Sequence, residues 1–385
     1  MPRSCQPGPA LRHRGGAPSC VALLLSALLA GSCGARTGLH VPEPDAGRDA
    51  GMDGGLDAGI DAGPLMCEDR HLVLLRRRAE VYFAVDSSGS MLETFEGTDA
   101  IDVMDSRWYV LRQSLAGALA IHGDDMSAGA LFFPDILPEP EDDGCQLIPG
   151  LDVAVAPNNG AAIIAEFERR GFPVGGTPTA AALDTIRREI MRRGPSEVTQ
   201  TVVLATDGAP NCNADPPIPP PRCFCTHPNP DVCMQRRPQN CLDDRAAIAA
   251  VTALADVGVP VYVIGLTDPV SAPILGRVLD DMAVAGGRAR PEGSDQRYYD
   301  IRNAAELSDT LQQITDSVSR CTLYLDAGAE IRDDDVLRMG GRTIERDPTH
   351  TDGWDLTDPR RGEVTLYGAA CEALADGAVL EACVF

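Results

Sequence analysis

The chain contains no lysine: all 33 of its Lys and Arg residues are arginine. That bias is one of composition and carries no functional weight. Positive charge is scarce overall, with a formal net charge of −24 across 385 residues. A surface this acidic repels phosphate backbones and excludes nucleic acid as a partner. No Gly-rich phosphate loop is present. No GxSxG elbow supports a serine nucleophile, since the one serine-rich turn reads Asp86-Ser87-Ser88-Gly89-Ser90. His40, His71, His122, His227 and His350 have no evident catalytic neighbour in sequence. Hydrolase chemistry is therefore unsupported. No apolar run, the short N-terminal stretch included, is long enough to span a bilayer.

That stretch is Val21 to Ala30 (VALLLSALLA), preceded by Arg3, Arg12 and Arg14 and followed by Ala30-Gly31-Ser32-Cys33. A basic end, a short apolar segment and small residues describe an export signal. The small residues before a cysteine resemble the bacterial lipobox, in which the cysteine is lipidated and becomes the new N-terminus. Residues 1–32 are thus expected to be a lipoprotein signal peptide and Cys33 the lipidated residue. Gly34 is compatible with outer-membrane rather than inner-membrane sorting. The alternative is an ordinary signal peptide cut near Ser32. Residues 33–66 are expected to form a flexible tether. Asp45, Asp49, Asp53, Asp57 and Asp61 recur every fourth position among Gly and Ala, and like-charge repulsion keeps such a chain extended. A Ca²⁺-binding repeat is the competing reading, but the nonapeptide spacing of Ca²⁺ solenoids is missing.

Ten cysteines follow the leader and Cys33: Cys67, Cys145, Cys212, Cys223, Cys225, Cys233, Cys241, Cys321, Cys371 and Cys383. An even number in an exported chain implies disulfides, although connectivity does not follow from sequence. The working expectation pairs Cys67 with Cys321, Cys371 with Cys383, and Cys145 with a cysteine of the 212–241 stretch. Cys223-x-Cys225-x-His227 invites a zinc reading, which the oxidising context disfavours.

From Val81 onward, apolar runs alternate with helical stripes. Strands are expected near Val81–Val85, Gly129–Phe133, Thr201–Thr206, Val259–Leu266 and Tyr298–Ile301, with Leu151–Ala156 as an edge strand. Helical stripes carry Trp108, Leu111, Leu115 and Leu119, then Leu183, Ile186 and Ile190, then Ile248, Val251 and Leu254, then Leu307, Leu311, Ile314 and Val318. This rhythm indicates an α/β domain with a Rossmann-like doubly wound, mostly parallel sheet, spanning residues 67–321. A Cys/Pro-rich insertion interrupts it at 209–241. Residues 322–385 read as a small β-rich appendage, with strands at Thr322–Leu325, Val336–Met339 and Glu363–Tyr367 and a hairpin turn at Gly340-Gly341.

The run Val81-Tyr-Phe-Ala-Val-Asp86-Ser-Ser88-Gly-Ser90-Met91 carries the chemistry. A buried strand ending in Asp-x-Ser-x-Ser presents one carboxylate and two hydroxyls on a tight loop. Hard oxygen donors so placed suit a small hard cation such as Mg²⁺, and a cation with an open position captures an acidic group. Thr177, in the Gly-Gly-Thr-Pro-Thr turn, and Asp207, at the end of Thr-Val-Val-Leu-Ala-Thr-Asp-Gly, fall at the carboxyl ends of strands, where open parallel sheets bind ligands. Together these residues resemble the von Willebrand factor type A (VWA) domain and its metal-ion-dependent adhesion site, over roughly residues 78–320. The resemblance implies direct cation contacts from Ser88 and Ser90. It implies a contact from Thr177 directly or through water, and largely water-mediated or orienting roles for Asp86 and Asp207. It implies a divalent cation, Mg²⁺ before Mn²⁺ or Ca²⁺, and a protein partner offering an Asp or Glu carboxylate.

The expected function is non-enzymatic: a lipid-anchored bacterial cell-envelope protein, at the outer membrane before the inner, that binds a protein through a divalent cation. The alternatives are an envelope scaffold, or an accessory subunit of an envelope enzyme complex, without metal-dependent capture.

Overall fold

The computed structural model describes residues 71–72, 74–75, 79–135, 144–194, 198–213, 223–226, 240–268, 272–325, 331, 336–359, 362–375 and 380–383. The expected signal peptide, Cys33, the tether, Cys67, His227 and most of the Cys/Pro-rich insertion lie outside these residues. Among the described residues no helix is long and apolar enough to cross a membrane.

The elements, in chain order, begin with short strands β1 (His71–Leu72) and β2 (Leu74–Leu75). The main domain follows with β3 (Ala79–Asp86), α1 (Arg107–His122), β4 (Met126–Phe133), β5 (Val153–Pro157), α2 (Gly160–Arg170) and α3 (Thr179–Arg193). It continues through β6 (Thr199–Thr206), α4 (Asp244–Asp256), β7 (Val261–Leu266), α5 (Ala272–Ala285), β8 (Tyr299–Ile301) and α6 (Ala304–Asp316). The remainder is β9 (Thr322–Leu325), β10 (Val336–Met339), β11 (Arg342–Ile344), β12 (Gly353–Asp358), β13 (Glu363–Tyr367), α7 (Gly368–Ala375) and β14 (Leu380–Cys383).

The central sheet has six strands in the order β5-β4-β3-β6-β7-β8. Its pairs are parallel except β4–β5, which is antiparallel. Burial on both faces explains why β3, β4, β6 and β7 read as mostly apolar or β-branched runs rather than alternating ones. Successive residues of β3 serve opposite faces. Val81, Phe83 and Val85 join Trp108, Leu111 and Leu115 of α1, Phe167 of α2 and Leu307 and Leu311 of α6. Tyr82 and Ala84 join Leu183 and Ile186 of α3, Val251 and Leu254 of α4 and Leu279 and Met282 of α5. On the first face the Trp108 and Phe167 rings lie 4.4 Å apart, and Phe132 meets Phe167 edge-on at 4.9 Å. Truncating such a ring costs about 3–5 kcal/mol. The domain is the expected doubly wound, mostly parallel α/β fold. The chain moves outward from β3 to β4 and β5, then crosses back to β6 on the other side of β3. The strand order thus reverses at β3/β6, the place where such sheets open a ligand crevice.

The appendage forms two four-stranded sheets, β12-β13-β9-β2 and β1-β14-β10-β11, so the strands preceding β3 pair with the tail. Its core gathers Leu323, Leu337, Trp354, Val364 and Leu366. The hairpin at Gly340-Gly341 is present, with φ of 56° and 78°, the left-handed pair a tight two-residue loop requires. Arg288 and Glu363, side chains 13% and 1% exposed, form an ion pair between main domain and tail.

The cysteine pairing corrects two expectations and agrees with one. Cys321 pairs with Cys371, not with Cys67, and Cys371 is therefore not joined to Cys383. The reason is α7, a short helix absent from the sequence reading, which sits against the turn Ser317–Cys321 and brings the Cys371 Cα to 5.2 Å from that of Cys321. The staple ties the tail to the main domain rather than closing the tail on itself. Cys145 does pair into the 212–241 stretch, with Cys212, and Cys223 pairs with Cys241.

Candidate functional site

Asp86 is the last residue of β3, and Asp207 follows the last residue of β6, its neighbour in the sheet. Ser88 and Ser90 lie on the 3-10 turn Gly89–Leu92 and its leading residue. Thr177 stands two residues before α3, on a turn whose Gly175 has φ of 94°. All five sequence-proposed residues therefore meet above β3 and β6, where the strand order reverses. Asp86, Ser88, Thr177 and Asp207 are each at most 3% exposed.

The contacts form a chain. Asp86 Oδ1 accepts the Ser88 amide at 2.8 Å, and its Oδ2 accepts the Thr206 hydroxyl at 2.5 Å. The Ser88 and Ser90 hydroxyl oxygens are 3.2 Å apart, and Ser90 Oγ donates to Asp207 Oδ1 at 2.9 Å. Gly208 leaves room beneath them: a Cβ there would stand 3.1 Å from Thr177 Oγ1 and 3.7 Å from Ser90 Oγ. Three hydroxyls thus border one small space, with Asp207 holding the Ser90 hydroxyl and Asp86 holding the Ser88 backbone.

That arrangement fits a small divalent cation. Adjacent ligands of an Mg²⁺ octahedron, with bonds of about 2.1 Å, are separated by about 3 Å, close to the Ser88–Ser90 spacing of 3.2 Å. Among the described residues no group of three or more His, Cys, Asp or Glu side chains is disposed to hold a metal. A cation here would depend on hydroxyl ligands, with the carboxylates orienting them.

Electrostatics reinforce the picture. Burial, and then the charge of Asp207, push the Asp86 carboxyl up to about 7, against the hydrogen bonds from Thr206 and Ser88. Burial also raises Asp207, opposed by Arg107. Asp86 and Asp207 are thus both buried at the site, with Arg107 meeting the charge of Asp207.

Four features escaped the sequence reading. Arg107, 1% exposed, donates through Nη1 to Asp207 Oδ2 at 2.8 Å and through Nη2 to Asp268 Oδ2 at 3.0 Å. Asp268 lies two residues past β7 and Asp207 one residue past β6, and each follows a threonine. Thr206 bonds Asp86 of β3, while Thr267 donates to Asp300 of β8 at 2.5 Å. The repeated Thr-Asp at two strand ends was the available signal. The third feature is Asn211, whose side chain accepts the Thr177 amide at 2.6 Å. The fourth is the position of the Cys145–Cys212 disulfide. A Cβ on Gly176 would lie 2.9 Å from Cys212 Sγ and 3.4 Å from Cys145 Sγ, so the bridge crosses directly beside the Thr177 turn.

The mostly parallel sheet with helices on both faces agrees with the doubly wound α/β fold expected from the sequence. The domain has a VWA-type fold. No protein-family model matches the sequence, and no curated protein sequence matches it. Among solved structures, the chain is similar to the PilB minor pilin from Streptococcus sanguinis, at 17% identity and TM-score 0.43, over 63% of this chain and 62% of that one. It is similar to the pilus adhesin SpaC from Lactobacillus rhamnosus GG, at 14% identity and TM-score 0.44, over 80% of this chain and 39% of that one. It is also similar to the vWF domain of the type V pili tip protein Mfa5 from Porphyromonas gingivalis, at 12% identity and TM-score 0.39, over 67% of this chain and 99% of that one. The chain spans less than two thirds of the length of the first two. Likeness at these identities concerns architecture and assigns no partner.

Proposed function

We propose that this protein binds one divalent cation, Mg²⁺ by preference and Mn²⁺ or Ca²⁺ alternatively, through Ser88, Ser90 and Thr177, and so holds a protein partner at the cell envelope. The observation that carries this reading is the hydroxyl cluster, with Ser88 and Ser90 oxygens 3.2 Å apart, Ser90 tied to Asp207, and Thr177 facing them over Gly208. Asp86 fixes the turn by accepting the Ser88 amide. Asp207 orients the Ser90 hydroxyl without needing a direct cation contact. A bound cation would supply a coordination position for a partner's Asp or Glu carboxylate. Neutral hydroxyls around it leave its charge largely uncancelled, which favours that anionic ligand.

The role proposed is binding and not catalysis. Anchoring through lipid on Cys33, with residues 33–66 as the spacer, belongs to the same proposal and rests on the sequence of the leader. Isothermal titration of the full-length protein with Mg²⁺ and Mn²⁺ tests the cation reading. Saturable heat is expected for the wild type and none for Asp86→Ala. Equal heats in both proteins, or none in either, would remove the cation. The reading of the chain as an envelope scaffold would then stand, with contacts carried by the cysteine-rich stretch and the tail.

A further inference from the structure

Arg107 occupies a position that local rules disfavour. It is the first residue of α1, directly after the Ser106 cap, where the helix dipole opposes a cation. It is 1% exposed, and its Nε has no hydrogen-bond partner among the described residues. Burying a guanidinium in this way is costly unless its charge is met. Three carboxylates from three segments meet it: Asp207 at 2.8 Å, Asp268 at 3.0 Å and Glu93 at 3.6 Å. Asp207 belongs to the candidate cation site, and Glu93 directly follows the turn that carries Ser90. The backbone closes the same loop, since the Arg107 amide donates to the Glu93 carbonyl at 2.9 Å.

Both oxygens of Asp207 are consequently engaged, one by the Ser90 hydroxyl and the other by the guanidinium. We infer that Arg107 sets the ligand preference of the candidate cation site, by cancelling the charge of Asp207 and so leaving a bound dication short of negative charge and receptive to an external carboxylate. This rests on the cation reading above. The physics has two signs. A positive charge in the wall weakens the hold on a dication and strengthens the hold on an anion. A residue that only braced the fold would, on removal, weaken both. Arg107 is therefore a positioning residue with a signature that bracing cannot imitate.

The test is an electron paramagnetic resonance titration of the full-length protein with Mn²⁺, with and without acetate as the carboxylate probe. It compares wild type, Arg107→Met, Arg107→Gln and Arg107→Lys, with circular dichroism to establish that each is folded. Arg107→Gln keeps a donor for Asp207 without charge, which guards against loss of the fold. Both uncharged variants are expected to bind Mn²⁺ about tenfold more tightly than wild type, the order expected for removing one unit charge a few ångströms away. Acetate is expected to tighten Mn²⁺ binding in wild type and Arg107→Lys but not in the uncharged variants. Unchanged or weaker Mn²⁺ binding in the folded uncharged variants, or an acetate effect that persists in them, overturns the role of Arg107 while leaving the cation site standing. No Mn²⁺ binding by the wild type overturns the cation reading and this inference with it.

Discussion

Asn211 accepts the backbone amide of Thr177 at 2.6 Å, and the Asn211 amide in turn donates to the Thr177 carbonyl at 3.0 Å. The next residue, Cys212, is bonded to Cys145, whose predecessor Gly144 accepts the Gly176 amide at 2.7 Å. The Thr177 turn is thus held from two sides by residues adjacent to one disulfide. The double variant Cys145→Ser, Cys212→Ser should weaken Mn²⁺ binding several-fold. It should also lower stability by about 4 kcal/mol on the loop-entropy scale, for a sequence separation of 67 residues. Titration calorimetry and urea unfolding measure the two effects. Unaltered affinity in the folded variant would uncouple the bridge from the site.

Gly208 tests the space itself. An added methyl would stand 3.1 Å from Thr177 Oγ1, tight enough to crowd the hydroxyls without touching the core. Gly208→Ala should reduce cation affinity tenfold or more, as a rough guide to a blocked ligand position, with a stability change below about 1 kcal/mol. Calorimetry and thermal unfolding separate the two. Full affinity in Gly208→Ala would place the cation elsewhere.

The pH dependence follows from Asp86. Its carboxyl is pushed up to about 7, first by burial and then by Asp207. A group raised on folding contributes stability below the ordinary carboxylate range and loses it as pH rises through its folded value. Without cation, wild type should therefore lose stability between about pH 4 and pH 7 relative to Asp86→Asn. A cation favours the ionised form, so the rise in Tm produced by saturating Mg²⁺ should be small near pH 5.5 and larger near pH 8. An Mg²⁺ increment independent of pH would contradict this linkage.

Glu363 joins the tail to the domain. Burial alone would raise its pKa, but Arg288 and the hydrogen bonds from Thr357 and Tyr324 lower it. Glu363→Gln leaves the Arg288 charge buried without its partner, at a cost of about 3–5 kcal/mol. Urea unfolding should show this loss, while Mn²⁺ affinity should remain that of wild type.

What could be read in the sequence, and what could not, divides along physical lines. The strands β3, β4, β6 and β7 are buried on both faces, and such runs are conspicuous in any chain. The residues Asp86, Ser88, Ser90, Thr177 and Asp207 sit at strand ends and turns, where local sequence and topology coincide, and the structure brings them together. Helix α2 was missed because its buried face offers only two apolar residues, Ile163 and Phe167, with the charged Glu166 beside them. Helix α5 was missed because Pro273 and Gly276 lie in its first turns, where proline is tolerated but reads as a break. Arg107 was passed over because its hydrogen-bonded carboxylates, Asp207 and Asp268, lie 100 and 161 residues away, a pairing that no local pattern encodes. The Cys321–Cys371 bridge depended on α7, a helix packed on the core of the tail and against Ser317–Cys321, a long-range placement that no local pattern encodes.

The most direct measurement is anomalous diffraction from crystals of the full-length protein grown with Mn²⁺. The expected result is one peak above Gly208, within about 2.2 Å of the Ser88, Ser90 and Thr177 hydroxyl oxygens. The absence of a peak there, or a peak held by other side chains, would contradict the hydroxyl-cluster site.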